Sequence, residues 1–366
     1  MDYMKKIRIG ILFGGKSAEH EVSLASAKNV AQALDRNKYE PVAIGIDKSG
    51  KWYLQDPTAL LAGKIDKVEH LPSRALTVLP GEVGTFAVAE RKEAAPLDVI
   101  FPILHGTFGE DGTVQGLLKL ADIPFVGAGV LGSAVGMDKD VMKRLLRDAG
   151  VPIGKFLVFQ DARRSQISFD QVIAELGSPV FVKPANLGSS VGVSKAKNSA
   201  EFMEAVENAF GYDRKIIVEE FIPGREIECA VLGNENPIAS VPGEVIPQGS
   251  HEFYSYEAKY LDEHGAVLKI PADLPEKTIK EVQDIAVRTF KALSCEGLGR
   301  VDSFLTPDGR VIANEINTIP GFTKISMYPK LWEASGIPYG ELIDRLITLA
   351  IERHAKERQL KTSYLN

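Results

Sequence analysis

Arg300, Asp302, Glu315 and Asn317 are the residues whose types and spacing point most directly to chemistry. They flank Thr306-Pro-Asp-Gly309, a turn signature in which Pro suits the first central position and Gly the exit. With Thr306 opposite Gly309, the flanking segments form a hairpin in which Asp302 faces Ala313 and Arg300 faces Glu315. Side chains alternate along a strand, so all four residues share one side. Two carboxylates, an amide oxygen and a guanidinium then converge. Hard oxygen donors of this kind suit Mg²⁺ held together with phosphates. A slip of one residue sends Asp302 to the other side, and the plainer alternative is a solvated strand face with an incidental salt bridge.

Lys183-Pro-Ala-Asn-Leu-Gly188-Ser189-Ser190-Val-Gly192 is a second constellation. A strand ends in Lys, a loop of small residues follows, and a strand resumes. Small residues let backbone N–H groups approach phosphate oxygens, and Ser hydroxyls add donors. Lys183 suits a phosphate as a point charge; a plain hairpin with a solvated Lys is the alternative. Gly10 to Ser17 matches the pattern G-x-x-x-x-G-K-[ST]. Three of its middle residues are Ile, Leu and Phe, which belong inside a strand, so a strand-turn-helix is the better reading. Glu19 and Glu21 after the turn suit an ammonium better than a phosphate. Val218 to Ile222 with Glu226 offers backbone groups to a nucleobase and a carboxylate to a ribose. Tyr254-Ser-Tyr-Glu257-Ala-Lys259-Tyr260 reads as a polar loop able to close as a lid, or simply as an exposed one.

These groups need a scaffold of more than one core. The chain has 366 residues, 45% hydrophobic and 25% charged, with net charge −6. That length implies two or three domains, and that charge argues against nucleic acid as the main partner. Cys229 and Cys295 are far apart without metal-ligand spacing, which fits a reduced, cytoplasmic protein. No apolar run approaches the roughly 20 residues that a membrane span needs. Strands are expected at Ile7–Phe13, Tyr39–Ile46, Leu97–Leu104 and Pro124–Val126, with helices at Ser17–Leu34 and Gly112–Ala121. This is the βαβ pattern of a parallel α/β sheet, and ligands sit at the carboxyl ends of its strands. Residues 50–95 read as an excursion of short strands. From about Gly129 the texture becomes α+β. A helix at Asp138–Ala149 precedes a strand starting at Val151-Pro152. Further strands follow at Pro179–Lys183, Val191–Lys195, Ile216–Phe221 and Glu226–Leu232, and a helix at Pro275–Leu293.

These segments, in this order, resemble the D-alanine–D-alanine ligases of the ATP-grasp superfamily. The resemblance covers nearly the whole chain. It runs from Phe13-Gly-Gly-Lys-Ser-Ala-Glu19-His-Glu-Val-Ser23 through His105-Gly-Thr-Phe-Gly-Glu-Asp-Gly112, Met137-Asp-Lys139 and Lys183 to Gly192. It continues through Glu257-Ala-Lys259-Tyr260, Gly299-Arg300-Val-Asp302 and Asn314-Glu315-Ile-Asn317-Thr-Ile-Pro-Gly321. The 50–95 excursion resembles the longer form of these ligases. The implied architecture is a Rossmann-like, pre-ATP-grasp domain at 1–129 that binds substrate, followed by a two-lobed ATP-grasp fold. Its central lobe is expected at 130–219, and its C-terminal lobe at 220–366 carries the metal site and a lid at 248–265.

The resemblance also implies an activity: ATP-dependent joining of two D-alanines through an acyl phosphate, for peptidoglycan precursors, with two Mg²⁺ (or Mn²⁺) ions. It implies that Glu19 anchors the ammonium of the first D-alanine, with His105 near its carboxylate. Lys139 and Lys183 would bind ATP phosphates, and Lys259 would reach the γ-phosphate. Glu219 and Ile222 would border adenine, and Glu226 the ribose. Asp302, Glu315 and Asn317 would ligate the metals. Arg300 and the Gly321 backbone would stabilise the tetrahedral transition state, and Ser326 would hold the second D-alanine carboxylate. Ser189 and Tyr260 would support Glu19 and close the lid. A cytoplasmic homodimer is implied, with no nucleic-acid or membrane partner. The Lys259-Tyr260 pattern favours the dipeptide over a D-alanine–D-lactate product. Another ATP-grasp carboxylate–amine ligase and a non-catalytic nucleotide-binding regulator are the remaining alternatives.

Overall fold

A computed structural model of the chain describes residues 5–78, 86–88, 96–248 and 265–364. Lys259, Tyr260 and the body of the expected lid lie outside the described residues. The ends of that segment meet: Gln248 N donates to the Gly265 carbonyl oxygen at 3.0 Å.

The first sheet has the order β3-β2-β1-β6, formed by Ile7–Gly14 (β1), Tyr39–Ile46 (β2), Trp52–Leu54 (β3) and Val99–Ile103 (β6). Leu76–Val78 (β4) and Phe86–Val88 (β5) make a small separate ladder inside the 50–95 excursion. β1 runs parallel to both β2 and β6, with Ile9 beside Pro41 on one side and Val99 on the other. Ile9, Ile11, Leu12 and Phe13 are fully buried, as a parallel strand covered on both faces requires. Gly10 to Phe13 therefore belong to a strand, and the phosphate-loop pattern there is coincidental. The expected strand at 124–126 is reduced to one bridge between Phe125 and Ile100. Helix α1 spans His20–Ala33 and starts later than Ser17. The Ser17 hydroxyl is engaged elsewhere: it donates to the His105 carbonyl at 2.7 Å and accepts from Glu19 N at 2.9 Å. That turn delivers Glu19 to the carboxyl end of the sheet.

The second sheet is antiparallel, with Phe156–Gln160 (β7), Lys215–Glu220 (β10), Val180–Pro184 (β8) and Ser194–Ala196 (β9) in that order. Val180, Val182, Phe202, Ile216 and Val218 give it a core of its own. The third sheet carries Arg225–Gly233 (β11) between Gly243–Pro247 (β13) and Gly297–Leu305 (β15). Ala266–Lys269 (β14) and Val311–Asn317 (β16) form its edges, and Ile238–Ala239 (β12) pairs beside β11. The expected helix, observed at Glu276–Ala292, covers it with a stripe of Val282, Ile285, Ala286 and Phe290. Met142 and Leu146, from the helix at Lys139–Asp148, share that core. The last helices, Met327–Ala334 and Tyr339–Glu357, bury Tyr328, Trp332, Leu342 and Leu346 in one core with Ile9 and Phe101 of the first sheet.

The hairpin of β15 and β16 forms, with a different register from the one its turn suggests. Thr306 N donates to the Arg310 carbonyl at 3.0 Å, Gly309 has φ +84°, and Leu305 pairs with Val311. The loop is thus one residue longer than a direct Thr306–Gly309 closure. Left uncorrected, that register would put Glu315 and Asn317 on the face opposite Asp302. A β-bulge at Asn314 restores them: Asp302 pairs with Glu315 and Arg300 with Asn317, while Ser303 pairs with Ala313. An extra residue in one strand reverses the facing of everything beyond it. Arg300, Asp302, Glu315 and Asn317 do share one side.

Candidate active site

Two cavities meet at this hairpin. The first, about 370 Å³, lies between the second and third sheets. Its polar lining includes Lys139, Lys183, Ser189, Glu219, Glu226 and Glu315, and Phe181, Phe221, Ile222 and Phe304 supply apolar walls. Lys183 stands on β8 and Glu219 on β10; they are diagonal neighbours, since Lys183 pairs with Ile217 and Glu219 with Phe181. Lys183 Nζ is 2.5 Å from Glu219 Oε2. Burial works to raise the Glu219 carboxyl, yet Lys143 and Lys183 together hold it at about 2. Burial likewise opposes the charge on Lys183, and Glu219 and Glu315 outweigh it, so its pKa is raised. Lys139, at the start of its helix, donates to the Leu187 carbonyl at 2.6 Å and stands 3.8 Å from Glu315. The loop between β8 and β9 holds two successive non-glycine residues in the left-handed region, Ser189 at φ +53° and Ser190 at φ +57°. Strain of this kind collects where a loop is shaped for a ligand.

The second cavity, about 770 Å³, is lined by Glu19, His105, Ser189, Arg300, Asn317, Gly321 and Ser326 among others. Its head is formed by three separate parts of the chain. The Ser189 hydroxyl donates to Glu19 Oε1, which ties the loop of the second sheet to the first. Gly106 sits at φ +79°, and a Cβ there would lie 2.9 Å from Glu19 Oε2, so the turn needs glycine on both counts. His105 Nδ1 lies 3.0 Å from the Ile319 carbonyl oxygen, an acceptor, so that nitrogen carries the proton. Nε2 lies 3.1 Å from Ser26 Oγ, which itself accepts from Phe322 N at 3.3 Å and so turns its own proton to the ring. Burial lowers the His105 pKa against the opposing pull of Glu19, which agrees with a neutral imidazole. At the far end, Ser326 Oγ accepts from Thr323 N at 3.1 Å beside Gly321, whose missing Cβ would sit 3.0 Å away.

Arg300 and Asp302 stand where the cavities join. Arg300 Nε and Nη2 each donate to the Asp302 carboxylate at 2.7 Å, and Nε is 3.0 Å from Glu228. Asn317 Nδ2 donates to Asp302 Oδ2 at 2.9 Å. Asp302, Glu315 and the Asn317 amide oxygen form a set of hard oxygen donors beside two lysines, which fits a divalent cation shared with phosphate. A closer carboxylate group is Glu226, Glu228 and Asp302, whose oxygens lie within 4.8 Å of one another.

Three residues at the site escape a reading of the sequence by motif. Lys143 is buried with its Nζ 2.7 Å from Glu219 Oε1; its spacing of one helical turn from Lys139 was the available signal. Glu228 alternates with Glu226 along β11 and so reaches the same side. Glu110 lies within the His105–Gly112 motif, but one of its two partners does not. Its carboxylate accepts from Gly106 N at 2.6 Å and from Ile319 N at 3.1 Å, binding the loop after β6 to the loop after β16. Burial, then the nearby Glu19, pushes its carboxyl up to about 8. The expected site residues that lie among the described ones all fall on or between these two cavities.

Comparison with known proteins agrees with this arrangement. Two family models match, "D-ala D-ala ligase N-terminus" over residues 8–128 and "D-ala D-ala ligase C-terminus" over residues 145–348. The chain is 56% identical to a D-alanine--D-alanine ligase of Oceanobacillus iheyensis over 365 residues, covering 98% of this chain and 99% of that one. It is 52% identical to D-alanine--D-alanine ligase A of Escherichia coli K12 over 367 residues, covering 98% and 100%. The structure of the D-alanine-D-alanine ligase from Coxiella burnetii superposes with a TM-score of 0.85 at 42% identity, covering 97% of each chain. That of VanG D-Ala:D-Ser ligase from Enterococcus faecalis gives 0.84 at 37% identity, covering 94% and 100%. The chain belongs to the D-alanine–D-alanine ligase family, with the ATP-grasp fold of its structural neighbours.

Proposed function

We propose that this protein joins two D-alanines into D-alanyl-D-alanine, converting ATP to ADP and phosphate, to supply a peptidoglycan precursor in the cytoplasm. The observation that carries this reading is the junction of the two cavities at Arg300, Asp302, Glu315 and Asn317. A phosphate donor and a carboxylate acceptor held in the two cavities would meet there.

Phe181, Phe221 and Ile222 offer a slot for adenine, with Glu219 at its border and Glu226 at the ribose. Lys139, Lys183 and Lys259 hold phosphates. Asp302, Glu315 and Asn317 are the residues that would hold two Mg²⁺ or Mn²⁺ ions, which when bound neutralise charge on the transferring phosphoryl group. Glu19, braced by Ser189 and Tyr260, holds the ammonium of the first D-alanine, with neutral His105 near its carboxylate. A carboxylate is a poor electrophile. Its oxygen first attacks the γ-phosphorus, the bond from that phosphorus to the ADP oxygen breaks, and an acyl phosphate results. The neutral amine of a second D-alanine, held by Ser326 through its carboxylate, then attacks the acyl carbon. Arg300 and the Gly321 N–H stabilise the oxyanion; as it collapses the acyl C–O bond breaks, the C–N bond stands, and the departing phosphate takes the proton that the amine gives up. Water must be kept out meanwhile, which is the task we assign to the 248–265 segment.

The same reading divides the chain at 129 and 219 into a substrate-binding unit and two ATP-grasp lobes. Two buried free cysteines suit a reducing compartment, and none of the described helices is long and apolar enough to cross a membrane. Leu120 and Leu131, on adjacent helices at Thr113–Leu120 and Val130–Met137, are 67% and 62% exposed. That apolar pair, one residue on each side of the boundary at 129, supports a homodimer whose interface includes the N-terminal unit. The Lys259-Tyr260 pattern supports D-alanine, rather than D-lactate, as second substrate. The test is phosphate release from ATP with D-alanine, L-alanine, or D-alanine plus D-lactate, with product masses. Release that depends on D-alanine and yields the dipeptide supports the reading; ATP binding without stimulation by D-alanine contradicts it.

A further inference from the structure

The nucleotide cavity holds one carboxylate between two lysines, and the lysines are not equivalent. Glu219 offers Oε1 to Lys143 at 2.7 Å and Oε2 to Lys183 at 2.5 Å. The Lys183 side chain is 13% exposed and also feels Glu315 and Glu226, so it leans toward the catalytic end. The Lys143 side chain is 4% exposed and stands one helical turn beyond Lys139, behind the carboxylate. Like charges four residues apart on a helix repel. Glu219 against Lys143, and Glu315 near Lys139 at 3.8 Å, offset that repulsion.

The inference rests on the nucleotide reading above, in which Lys183 holds phosphate. A phosphate group draws the Lys183 ammonium away from Glu219. The carboxylate then keeps one counter-ion if Lys143 is present and none if it is absent. A buried carboxylate without a counter-ion takes up a proton from solvent. Nothing else would prevent this among the described residues. The register partners of Glu219 on the two flanking strands are Phe156 and Phe181, and its charged neighbours are Lys143 and Lys183.

We propose that Lys143 is a positioning residue for nucleotide binding: the fixed counter-ion that keeps Glu219 an acceptor-only carboxylate at the base end of the cavity while Lys183 is exchanged to phosphate. An ionised carboxylate can only accept hydrogen bonds, whereas a protonated one also donates. An acceptor-only group receives the amino edge of a 6-amino purine and repels the carbonyl of a 6-oxo purine. A site built this way rejects the wrong edge strongly because a buried polar group is left unpaired. Lys143 therefore acts on base selectivity without touching the base.

The experiment is calorimetric binding of ADP and of inosine diphosphate, with Mg²⁺ present, to the full chain. Buffers of different ionisation heat, between about pH 6 and pH 8, report protons taken up on binding. The wild type is expected to prefer ADP with no proton uptake. Lys143→Met is expected to lose about tenfold of that preference and to take up a proton on binding ADP, most fully at the lower pH. Lys143→Arg is expected to restore both. A folded Lys143→Met protein with wild-type preference and no uptake overturns the proposal, as does a folded Lys143→Arg protein as impaired as Lys143→Met. Should Lys143→Met not fold, the neutral pair Glu219→Gln with Lys143→Met is compared with Glu219→Gln alone. Equal preference supports the proposal, and a further loss means that Lys143 acts by another route and overturns it. Failure of the wild type to bind ADP is a different result, which removes the nucleotide reading itself and the inference with it.

Discussion

Asp302 lies directly opposite Glu315, and it does so only because Asn314 has no partner across the hairpin. The turn at Thr306–Gly309 sets a register that would send Glu315 to the other face, and the bulge reverses it. Deleting Asn314 should remove the bulge without turning the site: Ser303 would still pair with Ala313, and Glu315, moved into the next place of a regular ladder, would still face Asp302. A folded deletion variant, checked by circular dichroism, is expected to keep releasing phosphate from ATP. Loss of turnover in a folded variant would mean that the bulge shapes the site by more than the facing of Glu315.

Glu315→Gln tests the oxygen set more gently. The amide keeps the shape and loses the charge, so the fold should persist while turnover is lost. ATP consumption at the wild-type rate would overturn the metal assignment.

Lys183→Met should act mainly on nucleotide affinity. Charge-assisted contacts of this kind contribute about 1.5–3 kcal/mol, which corresponds to roughly ten- to a hundredfold in Kd. Unchanged ATP affinity, measured by calorimetry, would count against a phosphate role.

Much of this site was legible in the sequence, for local reasons. Thr306-Pro-Asp-Gly309 announces a turn, and the polar alternation of Arg300-Val-Asp302 and Glu315-Ile-Asn317 on either side announces a shared face. Lys183 before a run of small residues is equally local. The bulge was not legible, because Asn314 carries none of the glycine signal that marks many bulges. Glu219 reads as one more edge-strand residue until α-helical Lys143 and strand Lys183 are seen to meet it. Glu110 was hidden for the same reason, since one of its partners is Ile319, 209 residues away. The helix expected from Ser17 began at His20 because the Ser17 hydroxyl bonds to the His105 carbonyl, a contact no window of sequence contains.

The buried carboxyl of Glu110 makes stability depend on pH. Its ordinary value is 4.5, and burial followed by Glu19 raises it to about 8 in the folded protein. The folded state therefore binds more protons than the unfolded state across that window. Stability from this group is fully present below the unfolded value and is lost as pH rises toward about 8. Glu110→Gln should flatten the dependence of melting temperature on pH between these limits. A variant with the wild-type slope would assign the dependence to other groups.

Arg353 offers a test of how the last helix is attached. Its guanidinium donates to the Gly127 carbonyl at 2.6 Å and the Phe125 carbonyl at 2.8 Å, and packs over the Phe125 ring at 4.7 Å. Arg353→Met keeps most of the bulk but leaves both buried carbonyls without these donors. A loss of about 2–4 kcal/mol is expected from urea unfolding, since each orphaned buried group costs about 1–3 kcal/mol. A change under about 0.5 kcal/mol, the usual range for surface substitutions, would mean that water replaces the guanidinium.

The central claim is that a carboxylate oxygen of the first D-alanine attacks the γ-phosphorus, and isotopic oxygen follows that atom. D-alanine carrying ¹⁸O in its carboxylate is supplied with ATP and Mg²⁺, and the released phosphate is weighed by mass spectrometry. The account predicts one ¹⁸O in each phosphate released with dipeptide, because the oxygen bonded to phosphorus leaves the acyl carbon with it. Unlabelled phosphate released together with dipeptide would contradict it, since no acyl phosphate could then lie on the path.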